Sequence, residues 1–164
     1  RLVISNDGWE MTETDICAIH SYKHGEKEDT EQHKVFRDCL KQMDTLHLVM
    51  EKLTFAKGNC YQGQPVVLTE CGGIAVTKET KSGEEDQAFQ EQGKENWGYT
   101  SASRDDFLKE YGRIVDSIYD SELLSGFCYT QLTDVEQETN GLLTRDHQYK
   151  FDPDKIRKIN ERKK

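Results

Sequence analysis

Pro65-Val66-Val67-Leu68-Thr69-Glu70-Cys71-Gly72-Gly73 decides the fold. Its apolar part is continuous, mostly β-branched and too short for a helix. A strand that is apolar on both faces belongs in the interior of a parallel sheet. Cys71-Gly72-Gly73 reads as its end. Downstream, Phe107, Leu108, Tyr111, Ile114, Val115, Ile118 and Tyr119 follow the helical period. Ser103 with Asp106 three residues on predicts a capping box at the start of that helix, and Ser125-Gly126 its end. Phe127-Cys128-Tyr129-Thr130-Gln131-Leu132 reads as another strand. Asp152-Pro153 gives an N-cap and first-turn proline for a short basic helix with Ile156 and Ile159 on one side.

Upstream, Phe36, Cys39, Leu40, Met43, Leu46, Val49, Met50 and Leu53 predict a long amphipathic helix beginning near Glu31 and stopped near Gly58-Asn59. Asp15–His20 and Leu2-Val3-Ile4-Ser5 read as two further strands, the latter closed by the turn Asn6-Asp7-Gly8. The order strand, strand, helix, strand, helix, strand, helix predicts an α/β fold with a parallel sheet and crossover helices. Only residues 6–14 separate the first two strands, fewer than the usual dozen of a parallel crossover.

Lys plus Arg number 22 and Asp plus Glu 31, a formal charge of −9 over 164 residues. That balance argues against a nucleic-acid surface and against docking on an anionic membrane. No apolar run approaches the ~18 residues of a membrane span. With 34% hydrophobic and 32% charged residues, the core has to come from a few dense apolar blocks. Residues 78–96 are charged and Gln-rich and read as a long exposed excursion; the run 26–31 and the basic tail read as solvated surface. The five cysteines have no C-x-x-C spacing and read as reduced, buried thiols, which favours a reducing compartment and a cytoplasmic location. No leader precedes Arg1-Leu2-Val3-Ile4, which begins inside an apolar run without Met, so the chain reads as part of something longer.

In parallel α/β folds the site lies at the carboxyl ends of the strands. Those ends here are Asn6-Asp7-Gly8-Trp9, His20-Ser21-Tyr22, Glu70-Cys71-Gly72-Gly73 and Gln131-Leu132-Thr133-Asp134. Carboxylates and amides suit sugar hydroxyls, and aromatic faces suit the C–H side of the ring. Glu70 follows the apolar run directly, where a carboxylate is expensive unless paired or hydrogen-bonded. His20 and His24 are four apart but fall at a strand end and in a loop, so neither a metal nor another cofactor is expected.

Val66-Val67-Leu68-Thr69-Glu70-Cys71-Gly72-Gly73 resembles the nucleophile strand of glycoside hydrolase family 2, the family of β-galactosidases, β-glucuronidases and β-mannosidases. Thr14-Asp15-Ile16 through His20-Ser21-Tyr22 looks like its preceding strand, and residues 126–142 look like the last strand and loop of a bacterial subgroup. The resemblance covers nearly all of residues 1–164. It implies a (β/α)₈ barrel, of which this chain supplies the C-terminal half, strands five to eight. The family's barrel tends to lack a regular fifth helix, which matches the short 6–14 gap. Glu70 matches the catalytic nucleophile and Tyr22 a tyrosine that hydrogen-bonds it. His20, Asn6, Asp7, Trp97, Tyr129 and Gln131 are then the expected substrate-binding residues. Cys71 stands where an aromatic residue is common, and Tyr129 where many members have Trp.

The implied activity is retaining hydrolysis of terminal β-glycosides, with a carbohydrate substrate. Retaining glycosidases use two carboxyl groups about 5–5.5 Å apart. In the family the acid/base Glu follows an Asn at the end of strand four, which would lie upstream of Arg1. The one Asn-Glu here, Asn160-Glu161, sits on the charged terminal helix. Asp7, Glu10 and Asp134 are other carboxylates near the expected site. The chain is therefore expected to be inactive alone and to need the upstream half of its barrel. Half a barrel leaves two open sheet edges, which predicts self-association, for instance a homodimer of half-barrels. Two other readings stand beside this one. The first is a thiol hydrolase with Cys71 as nucleophile and His20 or His147 as base. The second is a carbohydrate-binding fragment without chemistry.

Overall fold

In a computed structural model the structure describes residues 1–22, 52–76 and 100–161. Three parallel strands form the main sheet in the order β1 (Cys17–Ser21), β2 (Val66–Gly72) and β5 (Leu124–Thr130). Two-residue strands β3 (Ala75–Val76) and β4 (Ser101–Ala102) pair in parallel beside it. Helices α1 (Arg104–Asp120) and α2 (Pro153–Asn160) are the other elements among the described residues. The fold is α/β, and β2 is the central strand of its sheet. Among the described residues no helix is long and apolar enough to cross a membrane.

The strand β2 extends beyond the expected stop, because Cys71 and Gly72 still pair with β1 or β5; the chain turns at Gly73. Gly72 has φ +93, a backbone region that L side chains rarely adopt. Val66, Leu68 and Cys71 pack with Met11, Cys17, Ala18, Ile19, Phe55 and Ile118 into one core. A second core joins Phe107, Tyr111 and Val115 of α1 to Ile74, Ala102, Phe151 and Ile159. Phe107 stacks on Phe151 with centroids 3.9 Å apart, and Tyr111 Oη donates to Asn160 Oδ1 at 2.8 Å. These contacts dock α2 on α1. Each fully buried side chain of this kind contributes about 1.5–3 kcal/mol.

The helix signals act as written in the sequence. Ser103 Oγ accepts from Asp106 N at 3.1 Å and donates to the Asp106 carboxylate at 2.8 Å. Asp152 caps α2 by accepting from Asp154 N, with Pro153 in the first turn. The other end of α1 differs from expectation. The helix stops at Asp120, and Ser125-Gly126 lies inside β5, where Ser125 is one residue more than β2 opposes.

Upstream, two expectations are corrected: the strand at Leu2-Val3-Ile4 and a helical Leu53. Leu2-Val3-Ile4 forms no strand and its side chains are exposed. The backbone of Val3 is taken instead by the Asp15 carboxylate, Asp15 N and the Thr14 hydroxyl. The long helix expected from Glu31 lies outside the described residues over 31–51. Its last expected member, Leu53, is extended: Glu10 N and Met11 N donate to the Leu53 and Thr54 carbonyls, and Met11 bridges Phe55 in parallel. The excursion at 78–96 also lies outside the described residues. Cys17 and Cys71 are buried, whereas Cys60 and Cys128 are exposed.

Candidate active site

The site begins with an irregularity in β2. Ile19 pairs with Leu68 but His20 with Glu70; on the other side Leu68 faces Phe127 and Cys71 faces Tyr129. Both neighbours therefore see one extra residue in β2 at Thr69–Glu70. Such a bulge shifts the phase of side-chain alternation and re-aims a side chain. Val66 and Leu68 point into the core, and after the bulge it is Cys71 that does so. Glu70 is left at the C-terminal end of the central strand with its side chain 41% exposed rather than buried among apolar residues.

Its carboxylate is held from β1 and from just beyond it. Tyr22 Oη donates to Glu70 Oε2 at 2.6 Å and is also hydrogen-bonded to Thr130 Oγ1, at the end of β5, at 3.3 Å. His20 Nδ1 lies 3.2 Å from the same Glu70 oxygen, and Nε2 lies 3.3 Å from Asp7 Oδ1. Nε2 is sealed from solvent, and its geometry toward Asp7 makes an electrostatic contact rather than a hydrogen bond. The Thr69 hydroxyl donates to Asp7 Oδ1. Gly8 allows the loop to lie on the histidine: φ is +94, and a Cβ there would meet the His20 ring at 2.8 Å. Trp9 packs edge-to-face on that ring, centroids 5.2 Å apart. Asn6 is exposed and donates to the Trp9 carbonyl at 2.6 Å within its own turn.

The structure thus brings together Asp7, His20, Tyr22 and Glu70. Thr69, Thr130 and Trp9 complete the group; in the sequence the two threonines look like ordinary strand formers. Trp97 lies outside the described residues. Tyr129 and Gln131 turn to other partners. The Tyr129 ring packs edge-to-face on Phe107 and Tyr111. Its hydroxyl accepts from Ile74 N and donates to the Asn140 carbonyl, both at 3.2 Å. Burial pushes the phenol up from its ordinary range. Gln131 Nε2 donates to Glu138 and to buried Asn140, both at 3.1 Å. Asp134 accepts from Lys150 Nζ at 2.8 Å and from Gly141 N at 2.9 Å, and Glu10 lies 3.9 Å from Lys52.

Cys71 has no thiolate to offer. Burial, aided by Cys128, pushes its thiol up to about 12, and Sγ faces the Cys128 carbonyl at 3.5 Å. A nucleophilic cysteine needs the opposite shift. His20 contacts Glu70 and Asp7, and His147 is exposed in a turn. The thiol-hydrolase reading is therefore set aside. Among the described residues no group of three or more His, Cys, Asp or Glu side chains could hold a metal ion.

No protein-family model matches the sequence, and no curated protein does. Solved structures do. The chain is similar to part of the glycoside hydrolase PfGH50B, with a TM-score of 0.51 and 14% identity over 90% of this chain. It is also similar to part of Ruminococcus gnavus β-glucuronidase, solved with uronic isofagomine, with a TM-score of 0.52 and 16% identity over 92% of this chain. It spans 17% of the first protein and 23% of the second. At these identities the likeness is one of fold, and both neighbours are glycoside hydrolases.

Proposed function

We propose that this chain is the C-terminal half of the barrel of a retaining β-glycosidase of the family 2 kind, with Glu70 as nucleophile. The observation that carries the reading is the Glu70 carboxylate itself. It stands at the carboxyl end of the central parallel strand, half open to solvent, with one oxygen held by Tyr22 at 2.6 Å and faced by His20 at 3.2 Å. The fold likeness to parts of two glycoside hydrolases supports the same conclusion.

The ionised carboxylate is the form that attacks, and Tyr22 fixes one of its oxygens. Glu70 forms a bond to the anomeric carbon as the bond to the leaving oxygen breaks. A second carboxyl group protonates that oxygen, then takes a proton from the water that releases the sugar. This acid/base residue belongs to the upstream half of the barrel. Asp7, which faces the same histidine as Glu70, has one oxygen bonded by Thr69 and faced by His20. On this reading the acid and half the sugar pocket come from outside residues 1–164, so the isolated chain should not hydrolyse ordinary glycosides, and the open edges of a half-barrel should favour self-association.

The test is covalent trapping in the full-length protein. A 2,4-dinitrophenyl 2-deoxy-2-fluoro-β-glycoside should label the peptide containing Glu70, and Glu70→Gln should abolish both labelling and turnover. A label on any other residue overturns the assignment. Sugar binding that survives in Glu70→Gln without any turnover in the wild type would instead favour a carbohydrate-binding fragment.

A further inference from the structure

We infer that His20 is a positioning residue for the nucleophile and does not itself touch the sugar, an inference that rests on the glycosidase reading. Its ring is wedged between the Asp7 loop and the end of β2, 7% exposed, with Nε2 sealed from solvent. A hydroxyl of the substrate therefore has no path to it. Each ring nitrogen instead faces a carboxylate from a different segment: Nδ1 faces Glu70 Oε2 at 3.2 Å and Nε2 faces Asp7 Oδ1 at 3.3 Å. The wedge is tight on its other sides. Gly8 leaves no room for even a methyl group above the ring, and Trp9 packs on it. The bulge in β2 is what sets Glu70 opposite His20 in register.

The consequence is orientation. Glu70 is 41% exposed, and an exposed glutamate samples many rotamers unless it is held. Tyr22 and His20 both engage Oε2, which leaves Oε1 as the oxygen presented to the anomeric carbon. Asp7 faces the ring from behind, and the Thr69 hydroxyl at the bulge holds Asp7. Misplacing a reacting atom by about 1 Å is enough to lose roughly 10²-fold in rate.

Two substitutions at His20 separate positioning from space-filling in the full-length enzyme. An asparagine amide nitrogen falls near the place of Nδ1, and a glutamine amide nitrogen near that of Nε2. His20→Asn keeps a group toward Glu70, so kcat should stay within about tenfold of wild type. His20→Gln keeps only the group toward Asp7, so kcat should fall about 100-fold with KM nearly unchanged. Glutamine is closer to histidine in size, so a ring that only fills space predicts the reverse order. The reverse order, or equal losses, overturns the inference. If His20→Gln does not fold, Asp7→Asn carries the test. A fall in kcat of about tenfold at constant KM supports the relay, and a rise in KM alone overturns it. Labelling of the wild type by the fluoroglycoside runs alongside. A label on Glu70 with the wrong order of variants sinks the positioning role alone, whereas a label elsewhere removes the glycosidase reading and the inference with it.

Discussion

Replacing Gly72 by alanine tests how the end of β2 is anchored. At φ +93 an L residue is strained by about 1–3 kcal/mol. The new Cβ would also lie 2.2 and 2.3 Å from two carbons of the Tyr129 ring. That ring cannot swing away cheaply. Its hydroxyl is tied to Ile74 N and the Asn140 carbonyl, and its edges meet Phe107 and Tyr111. Overpacking a fixed side chain adds about 1–3 kcal/mol. The expected loss is then about 4 kcal/mol, or roughly 8–16 °C in Tm for a chain of this size. Gly63→Ala is the control: φ is +90, but nothing lies within 4 Å, so it bears the strain alone. Urea unfolding of both variants, with Gly72→Ala/Tyr129→Leu added, measures the clash directly. The double variant should lose less than the sum of the single losses. If Gly72→Ala and Gly63→Ala cost the same within about 1 kcal/mol, the Tyr129 anchor is not what the geometry says.

On the glycosidase reading, Tyr22→Phe removes one donor to the Glu70 carboxylate, worth about 1.5–3 kcal/mol, and should lower kcat/KM on an aryl glycoside roughly 10–100-fold in the full-length protein. Lys150→Met leaves the Asp134 carboxylate, mostly buried, without its cation. It should cost about 3 kcal/mol, read from denaturant midpoints. Burial raises the Cys17 and Cys71 thiols from 9.0 to about 12. Below pH 9 they are protonated in both states; above it the unfolded chain sheds protons first, so their contribution to stability is lost as pH rises from 9 toward 12. The fall of the urea midpoint across that window should be shallower in Cys71→Ala than in wild type. In the folded protein at pH 8, iodoacetamide should alkylate exposed Cys60 and Cys128 and spare Cys17 and Cys71, as mass spectrometry of the peptides will show.

Some of this molecule is written locally. The run Val66–Leu68 reads as a strand, because a short continuous apolar run rich in β-branched residues favours one. The helix at 104–120 announces itself by period and by the Ser103 cap, and the one at 153–160 by Asp152-Pro153, since caps and periods act within a turn or two of chain. A carboxylate directly after an apolar strand marks Glu70 for attention by the same local logic.

Tertiary structure decided the rest. The bulge at Thr69–Glu70 depends on how β2 pairs with a strand on each side, and no residue of β2 encodes that count by itself. Whether Leu2–Ile4 forms a strand depends on finding a neighbour, and Thr14 and Asp15 took its backbone groups instead. Tyr129 and Gln131 carry the side chains a sugar site would use, yet their partners are Ile74, Glu138 and Asn140. Asp134 found Lys150, 16 residues away. A side chain's chemistry is a property of its residue type, but its partner is a property of distance, and distance between remote segments exists only once the chain has folded. His20 shows this most clearly: one histidine at a strand end became the wedge between two carboxylates, from positions 7 and 70, because the sheet brought one and the Asp7 loop the other to its two nitrogens.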